Sequence, residues 1–225
     1  MSRELRANLF REVDIYPVTC ERLSAGRSNV EVLQAVIQGG AKIIQLREKE
    51  YSAKELYLLA LRFREITSRA GVLLIVNDHL DIALAVDADG VHLGQDDLPI
   101  AAARGIAPQL LLGASTHSME EAKRAQNDGA DYVNIGPIFP TKTKEGVEQF
   151  LGPKAISTIA TEIRIPFTVM GGIDESNIDQ VLMAGARRVA MVTAITQAPD
   201  IREKVIALKK RITDISLQTG TAGCR

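Results

Sequence analysis

Gly40-Ala41-Lys42-Ile43-Ile44 recurs along the chain as Gly129-Ala130-Asp131-Tyr132-Val133 and Gly185-Ala186-Arg187-Arg188-Val189, with Asp89-Gly90-Val91 as a weaker copy. Each copy is typical of a glycine that ends a helix, followed by a short turn and a buried strand. The copies precede the second, sixth, eighth and, more weakly, fourth apolar runs of the chain. Recurrence on even-numbered units is expected of a barrel built from duplicated pairs.

Eight short apolar runs alternate with longer amphipathic segments from one end of the chain to the other. The runs are rich in Val, Ile and Leu and show little polar alternation, as expected for parallel strands covered on both faces. Helical patterns are clearest at residues 53–70, 119–128 and 176–184, and Ser118 with Glu121 predicts a capping box. The eight predicted strands span residues 15–19, 43–46, 72–76, 90–93, 110–113, 132–135, 167–170 and 189–192.

These units predict a single (β/α)8 TIM barrel over residues 1–225. Residues 1–12 are expected to form an N-terminal extension and residues 217–225 a disordered tail. The alternative is a doubly wound open sheet, which rarely needs eight such regular units in about 200 residues.

The composition excludes several classes of function. The chain has 225 residues, with 27 Lys and Arg against 28 Asp and Glu, so nothing indicates binding to nucleic acid or a membrane surface. Cys20 and Cys224 form neither a disulfide framework nor a zinc motif. The polar residues 1–11 lead us to expect no signal peptide, and no run of roughly 20 apolar residues occurs. We therefore expect a cytoplasmic protein whose partners are small molecules, and a homodimer is left open.

Cationic side chains follow the second predicted strand, which ends in Gln-Leu-Arg-Glu-Lys. Alternation along a strand places Gln45, Arg47 and Lys49 on one side. Active sites of parallel barrels form at the carboxyl ends of the strands, and two cations with an amide suit a phosphate or diphosphate there. The alternative is a salt bridge in which Glu48 or Glu50 holds Arg47 or Lys49.

Carboxylates follow the next two strands. The third strand runs into Asn77 and Asp78, and the fourth is followed by Asp97. Mg²⁺ is typically bound by one or two carboxylates, with substrate phosphates completing its shell, so the pair predicts a magnesium site. The alternative is that each Asp caps the helix after it.

The later strands end in smaller polar residues. Ser115 and His117 follow the fifth strand; a histidine at a helix entry is more often structural than catalytic. The loop after the sixth strand carries Thr141, Thr143 and Lys144, which predicts a mobile flap over an anion, although a solvated basic loop is the alternative.

Glycines and a hydroxyl follow the last two strands. Gly171 and Gly172 allow backbone N–H groups to approach a phosphate closely, and Val192 with Thr193 ends the eighth strand. Phosphate sites after the seventh and eighth strands recur in this fold. Two separate phosphate sites imply two phosphorylated substrates or a single long one.

In chain order these motifs resemble thiamine-phosphate synthase, from about residue 16 to about residue 212. The motifs are Gln45-Leu-Arg-Glu-Lys49, Asn77-Asp78, Gly90-Val-His-Leu-Gly-Gln-Asp-Asp97, Gly136-Pro-Ile-Phe-Pro-Thr-Lys-Thr-Lys144, Gly171-Gly-Ile173 and Val189-Ala-Met-Val-Thr-Ala-Ile195.

The resemblance implies a transferase that joins 4-amino-2-methyl-5-hydroxymethylpyrimidine diphosphate to a phosphorylated thiazole or carboxythiazole. It implies Mg²⁺ on Asp78 and Asp97, and Arg47, Lys49 and Lys144 as the catalytic cations. The residues implied to bind the pyrimidine diphosphate are Gln45, Arg47, Lys49, Asn77, Ser115 and Lys144. Those implied to bind the thiazole phosphate are Thr141, Thr143, Gly172, Val192 and Thr193.

Several positions depart from the family pattern: Cys20 after Thr19, His79 for a frequent Arg, Asn134 for a common Gly, Thr193 for the usual Ser, and residues 145–151. These departures leave two alternatives. One is a thiazole tautomerase, in which His117 would act as acid or base. The other is a paralogue that binds thiazole or thiamine phosphate without catalysis.

Overall fold

Eight parallel strands form the centre of the protein. The structure is a computed structural model, and it describes residues 1–141 and 149–218. The strands lie in the order β1-β8-β7-β6-β5-β4-β3-β2. Their bounds are β1 (Ile15–Pro17), β2 (Ile43–Leu46), β3 (Leu73–Asn77), β4 (Gly90–Leu93), β5 (Leu111–Thr116), β6 (Tyr132–Ile135), β7 (Phe167–Val169) and β8 (Val189–Met191).

The sheet closes on itself between its two edge strands. The N–H of Thr19, just beyond β1, donates to the carbonyl of Gln45 on β2 at 3.0 Å, and Val18 bridges the same residue. The predicted (β/α)8 barrel is therefore confirmed. The bounds of β2, β4 and β6 match the prediction, whereas the other strands shift by one to three residues at their ends.

Helices follow every strand and cover the outside of the barrel. Ser28 and Ser52 open α2 and α3 with complete capping boxes. At Ser118 only half of the predicted box forms, because the carboxylate of Glu121 accepts from the N–H of His117 instead. The helices are α1 (Arg3–Arg11), α2 (Asn29–Gln38), α3 (Ala53–Ala70), α4 (Leu80–Ala85), α5 (Ile100–Ile106), α6 (Met119–Asn127), α7 (Pro153–Ala160), α8 (Ile178–Met183), α9 (Thr193–Thr196) and α10 (Ile201–Gln218), with a 3-10 turn at Glu21–Leu23.

The two ends of the chain are more helical than the sequence predicts. The predicted N-terminal extension contains α1. The last helix includes Leu217 and Gln218, which the sequence analysis assigns to the tail. Residues 219–225 lie outside the described ranges. Within those ranges, no helix combines the length and apolar character that a membrane span requires.

The repeated helix-to-strand turn has a common hydrogen bond. Gly40, Gly129 and Gly185 adopt φ values of +83°, +95° and +103°, and the N–H of the alanine after each donates five residues back. The fourth copy begins at Asp87, with φ +51°, and its following residue, Ala88, makes the equivalent bond. The fourth copy therefore starts two residues before the predicted Asp89. Asp87 can take the place of the glycine because Asp tolerates the left-handed conformation better than most residues.

Two apolar layers fill the structure. The larger packs the outer faces of the strands against the helices. The smaller fills the inside of the barrel, with Phe10, Tyr16, Ile75 and Tyr132 among its members. Phe10 of α1 stacks on Tyr132 with ring centroids 4.2 Å apart, so this helix closes the amino-terminal end of the barrel. The cavity is therefore left at the opposite end.

A buried ion cluster fixes α1 to the barrel. Asp89 is 2% exposed and accepts from the N–H of Leu74 at 2.9 Å, from Arg6 at 3.3 Å and from Arg64 at 2.8 Å. Arg6 is 3% exposed and also donates to the carbonyl of Gln109. Because these charges are shielded from water, removal of the Asp89 carboxylate leaves Arg6 and Arg64 without their shared buried partner.

We predict that Asp89→Asn lowers the free energy of unfolding by about 3 kcal/mol, because it removes the carboxylate that neutralises buried Arg6. Urea denaturation at neutral pH measures the change. Asp87→Asn is the matched control, since Asp87 also lies within 3.5 Å of Arg6 but its side chain is 89% exposed, and we expect a change under about 0.5 kcal/mol. Equal effects of the two substitutions would contradict the role assigned to Asp89.

Candidate functional site

The carboxyl ends of the strands surround a cavity of about 1300 Å³. Every predicted site residue within the described ranges lines it. Two predicted residues, Thr143 and Lys144, lie outside those ranges. The predicted residues that the cavity brings together are Gln45, Arg47, Lys49, Asn77, Asp78, Asp97, Ser115, Thr141, Gly172, Val192 and Thr193.

The cations after β2 are not held in the way that the salt-bridge alternative requires. Glu50 pairs with Arg22 at 3.4 Å, and Glu48 accepts from the N–H of Glu21 at 3.0 Å. Within residues 1–141 and 149–218, Arg47 makes no ion pair. Its guanidinium, half-buried at the cavity wall, is therefore available to an anion.

Lys49 forms an ion pair across the rim with Asp78 of the β3–α4 loop. Asp78 adopts φ +63°, an uncommon value for a residue other than glycine, and its N–H donates to the carbonyl of His92 at 2.8 Å. The left-handed backbone turns the chain sharply after β3. It thereby leaves the Asp78 carboxylate at the cavity beside β2.

Asp97 is the second carboxylate at this rim, and it faces Asp78. Its Oδ2 accepts from the N–H of Gly94 at 2.6 Å. Burial raises the pKa of Asp97, and the nearby Asp78 carboxylate raises it further. Neither Asp caps a helix, because His79 and Pro99 occupy the positions before α4 and α5. The capping alternative is therefore wrong for both.

The donor set at this rim suits a hard divalent cation. Two facing carboxylates share one ammonium group, Lys49, so additional positive charge between them would relieve their repulsion. In the part of the chain that the structure describes, no group of three or more His, Cys, Asp or Glu could hold a metal by itself. Two carboxylates with open positions are what Mg²⁺ uses when substrate phosphates complete its shell.

A buried hydrogen-bond chain crosses the barrel below the cavity. Gln45 Nε2 donates to Tyr16 Oη at 3.0 Å, and Tyr16 Oη lies 2.9 Å from Tyr132 Oη. Tyr132 Oη lies 3.2 Å from His92 Nδ1, and His92 Nε2 lies 3.0 Å from Ser115 Oγ. The chain therefore joins two predicted site residues, Gln45 and Ser115, through three buried rings.

Chemistry fixes the direction of these bonds. Tyr16 accepts from the Gln45 amide, and among the described residues Tyr132 Oη is the acceptor that its own hydroxyl hydrogen has; Tyr132, which then accepts from Tyr16, has His92 Nδ1 as the acceptor for its hydrogen. Burial lowers the pKa of His92 to about 4, so the ring is neutral near pH 7. Because Nδ1 accepts from Tyr132, the single ring proton is then on Nε2. Ser115 Oγ accepts the hydrogen bond from Nε2, and the Ser115 hydroxyl hydrogen therefore stays available to donate into the cavity.

Across the cavity from the charged rim lies a cup formed by Gly172, Val192 and Thr193, which carry no charge and give it the name neutral cup; Asp174 also lines the cavity on this side. Gly172 adopts φ +60°, and a Cβ there would lie 2.2 Å from the carbonyl oxygen of Pro140. Within the described ranges, the backbone N–H groups of Gly172 and Thr193 donate to no acceptor. Unpaired N–H groups at a cavity wall are suited to the oxygens of a phosphate.

Histidine 117 has a structural contact. Its Nδ1 lies 2.7 Å from the carbonyl oxygen of Gly136, and its backbone N–H donates to Glu121. The residue lines the cavity, and among the described residues its ring contacts this carbonyl rather than a carboxylate. The structural interpretation of His117 is therefore the better one.

Three residues inside the barrel were not predicted to belong to the site: Tyr16 and Tyr132 lie below the cavity, and Asn134 lines it. Tyr16 and Tyr132 were assigned only to strands, and Asn134 was noted only as a departure from a family pattern. Both Tyr132 and Asn134 lie on the inner face of β6, two residues apart, as strand alternation requires. The signal was present, but a strand buried on both faces does not reveal which face is inside.

Comparisons with known proteins identify relatives over nearly the whole chain. A family model described as "Thiamine monophosphate synthase" matches residues 15–195. A thiamine-phosphate synthase of Pelotomaculum thermopropionicum is 48% identical over 203 residues, which are 90% of this chain and 93% of the relative. Another, from Caldicellulosiruptor saccharolyticus, is 44% identical over 96% of each chain. A solved structure, thiamine phosphate pyrophosphorylase from Pyrococcus furiosus, is 36% identical with a TM-score of 0.84, covering 94% of this chain and 98% of its own.

We predict that the His92 ring is neutral at about pH 6, because burial disfavours the charged form, and that its proton is on Nε2, because Tyr132 donates to Nδ1. Long-range ¹⁵N–¹H NMR correlations of the imidazole measure both properties. Tyr132→Phe is the control, since it removes the donor to Nδ1 and should allow a mixture of tautomers. A ring that is charged at this pH, or protonated on Nδ1 when neutral, would contradict the bond directions given above.

Proposed function

The chain belongs to the thiamine monophosphate synthase family, and on that basis we propose that it joins 4-amino-2-methyl-5-hydroxymethylpyrimidine diphosphate to a phosphorylated thiazole. The products are thiamine phosphate and diphosphate, together with CO₂ when the thiazole carries a carboxylate. The observation that carries the proposal is the division of one cavity into a charged rim and a neutral cup, since the reaction needs a site for each phosphorylated substrate.

The charged rim is the proposed diphosphate site. Arg47 supplies a guanidinium with no internal partner among the described residues, and Lys49 supplies an ammonium beside Asp78. Asn77 lies on β3 next to these groups, and Ser115 offers a hydroxyl hydrogen from the other side of the cavity. Cations and oriented donors together stabilise the charge of a diphosphate more than either does alone.

We assign Mg²⁺ to Asp78 and Asp97, because their facing carboxylates are hard oxygen ligands. The two negative charges have one ammonium group, that of Lys49, beside them, so a divalent cation would neutralise the remainder. The chemistry that Mg²⁺ supplies when bound is neutralisation of the charge on the diphosphate. Lys49 contacts one of the two proposed ligands, so it holds that carboxylate in place at the rim.

The proposed reaction begins with cleavage of the bond between the pyrimidine methylene carbon and the diphosphate oxygen. The bonding electron pair leaves with the diphosphate, where Arg47, Lys49 and, outside the described ranges, Lys144 stabilise the developing negative charge. The thiazole nitrogen then donates its lone pair to the methylene carbon and forms the new C–N bond. No step requires a strong base, and the deepest histidine of the cavity, His92, is held neutral by burial.

The neutral cup is the proposed site of the thiazole phosphate. The N–H groups of Gly172 and Thr193 are unpaired among the described residues, and the Thr193 side chain adds a hydroxyl. Val192 lines the same wall, and Thr141 approaches from the loop after β6. Thr143, assigned to the same phosphate, lies outside the described ranges. Backbone N–H groups can bind a phosphate without a metal ion. We therefore place Mg²⁺ at the charged rim and not at the cup.

The setting of the enzyme is part of the proposal. Both substrates carry phosphate groups and do not cross membranes unaided, which supports action on small molecules in the cytoplasm. A homodimer stays a prediction, and sedimentation equilibrium of the purified protein would test it. The tautomerase and the non-catalytic paralogue are kept as outcomes of the assay described next.

We predict that purified protein forms thiamine phosphate from the two substrates when Mg²⁺ is present and not after chelation. Asp78→Asn and Asp97→Asn should each lower kcat by roughly 100-fold or more, because each removes one of the two carboxylates proposed to hold the Mg²⁺ that neutralises the diphosphate. Asparagine tolerates the left-handed backbone at position 78, so the loop should keep its shape. Product formation is followed by chromatography.

Asp81→Asn is the control, since this exposed carboxylate follows the same loop but does not line the cavity. It should leave kcat within about twofold of the unmodified enzyme. Folded protein that yields no product with Mg²⁺ would overturn the proposed synthase. Isomerisation of the thiazole would then favour the tautomerase, and tight thiazole phosphate binding without turnover would favour the non-catalytic paralogue.

We predict that Gly172→Ala weakens thiazole phosphate binding about tenfold or more, because the new Cβ displaces the Pro140 carbonyl and with it the cup. Binding of the pyrimidine diphosphate should change little. Gly71→Ala is the control for backbone strain alone, since Gly71 has φ +67° and a Cβ there meets no atom within 4 Å. Calorimetry measures both ligands. Equal weakening of both by Gly172→Ala would contradict the division of the cavity.

A further inference from the structure

Asn134 is a buried amide in the floor of the cavity to which no role has been assigned. It lies on the inner face of β6 and is 7% exposed. In the strand register it stands between Ser115 of β5 and Thr168 of β7. The side chain is therefore fixed at the depth where the barrel interior meets the cavity.

Thr168 determines which way the Asn134 amide points. Thr168 is fully buried, and its Oγ1 lies 2.8 Å from Asn134 Oδ1. Among the described residues this is the single acceptor within reach of the Thr168 hydroxyl. Rotating the amide would turn its NH₂ group towards the hydroxyl and leave a buried O–H without an acceptor, which is costly. The oxygen of Asn134 thus faces Thr168.

The Asn134 NH₂ group consequently faces the cavity. Nδ2 makes no hydrogen bond within residues 1–141 and 149–218, and it is not among the polar atoms sealed away from solvent. A buried amide with its oxygen anchored and its nitrogen unpaired is a preoriented donor. Such a group favours a ligand that brings an acceptor to the same place.

Gln45 presents the complementary group on the opposite side. β2 and β6 are four strands apart in a ring of eight, so their inner faces oppose each other. The Gln45 amide nitrogen donates to Tyr16, which leaves its oxygen as an acceptor at the cavity. The floor therefore offers an acceptor on one side and a donor on the other, with apolar Val18, Met170 and Ala190 also in the wall.

We propose that Asn134 donates a hydrogen bond to a ring nitrogen of the aminopyrimidine and thereby helps to select that heterocycle. The proposal rests on the synthase function, because an aminopyrimidine carries an exocyclic amine donor and ring-nitrogen acceptors at separate edges of one flat ring. The amine faces Gln45 and the ring nitrogen faces Asn134. The diphosphate then projects towards Arg47 and the carboxylates of the rim. Thr168 is a positioning residue, since it acts through Asn134.

Calorimetry with the pyrimidine diphosphate alone tests the proposal without requiring turnover. Asn134→Ala should raise its Kd about tenfold, because one hydrogen bond to a buried acceptor is lost. The Kd of thiazole phosphate and that of inorganic diphosphate with Mg²⁺ should each stay within about twofold. Thr168→Val should raise the Kd of the pyrimidine diphosphate about threefold, because the Asn134 amide loses its fixed orientation.

The two substitutions together separate a positioning role from a general loss of packing. In the Asn134→Ala background, Thr168→Val should have no further effect on the Kd of the pyrimidine diphosphate. An unchanged Kd in Asn134→Ala would overturn the proposal. Weakened binding of inorganic diphosphate would overturn it too, because the amide would then contact the leaving group. So would weakened binding of thiazole phosphate, which would place Asn134 in the other half of the site.

The same measurements distinguish this proposal from the synthase function on which it rests. If the unmodified protein binds the pyrimidine diphosphate and Asn134→Ala weakens that binding selectively, the assignment of Asn134 stands even without product formation. If the unmodified protein forms thiamine phosphate and Asn134→Ala binds the pyrimidine diphosphate normally, the synthase stands and the assignment of Asn134 is wrong.

Discussion

Parallel pairing of eight strands is the constraint on which the site depends. Because all strands run the same way, their carboxyl ends meet at one end of the barrel, and each contributes a different polar group to the same cavity. The other end is closed by α1, with Phe10 stacked on Tyr132 and Arg6 bound to Asp89. The packing of α1 at the amino-terminal end thus supports the residues that form the floor of the cavity at the carboxyl-terminal end.

The floor is also where binding is oriented. Hydrogen bonds that run from Gln45 through two tyrosines and His92 to Ser115 leave an acceptor at one end and a donor at the other. Nothing in this chain of bonds carries charge near pH 7, since burial lowers the pKa of His92. The charged groups lie above it at the rim. The cavity therefore separates recognition of a neutral ring from stabilisation of a leaving diphosphate, and a neutral floor does not compete with the rim for the anion.

Much of this arrangement follows from the sequence, and the limits are physical. Alternation along β2 places Gln45, Arg47 and Lys49 together, and the eight apolar runs, four of which follow the repeated turn, give the strand count. The pairing of Lys49 with Asp78 joins residues 29 apart, and that of Tyr16 with Tyr132 joins residues 116 apart, so neither is visible in a local pattern. The glycine turn before β4 was misplaced because Asp87 adopts the left-handed conformation in place of a glycine. The orientation of Asn134 depends on Thr168 across the register of two strands, which is set only when the barrel closes.

Calorimetric titration of the unmodified protein, with Mg²⁺ and after chelation, tests the division of the cavity most directly. Inorganic diphosphate and thiazole phosphate are the two ligands. We expect chelation to weaken diphosphate binding at least about tenfold, while the Kd of thiazole phosphate stays within about twofold. If chelation weakens both ligands equally, or weakens thiazole phosphate alone, the separation of a metal-dependent rim from a neutral cup is contradicted.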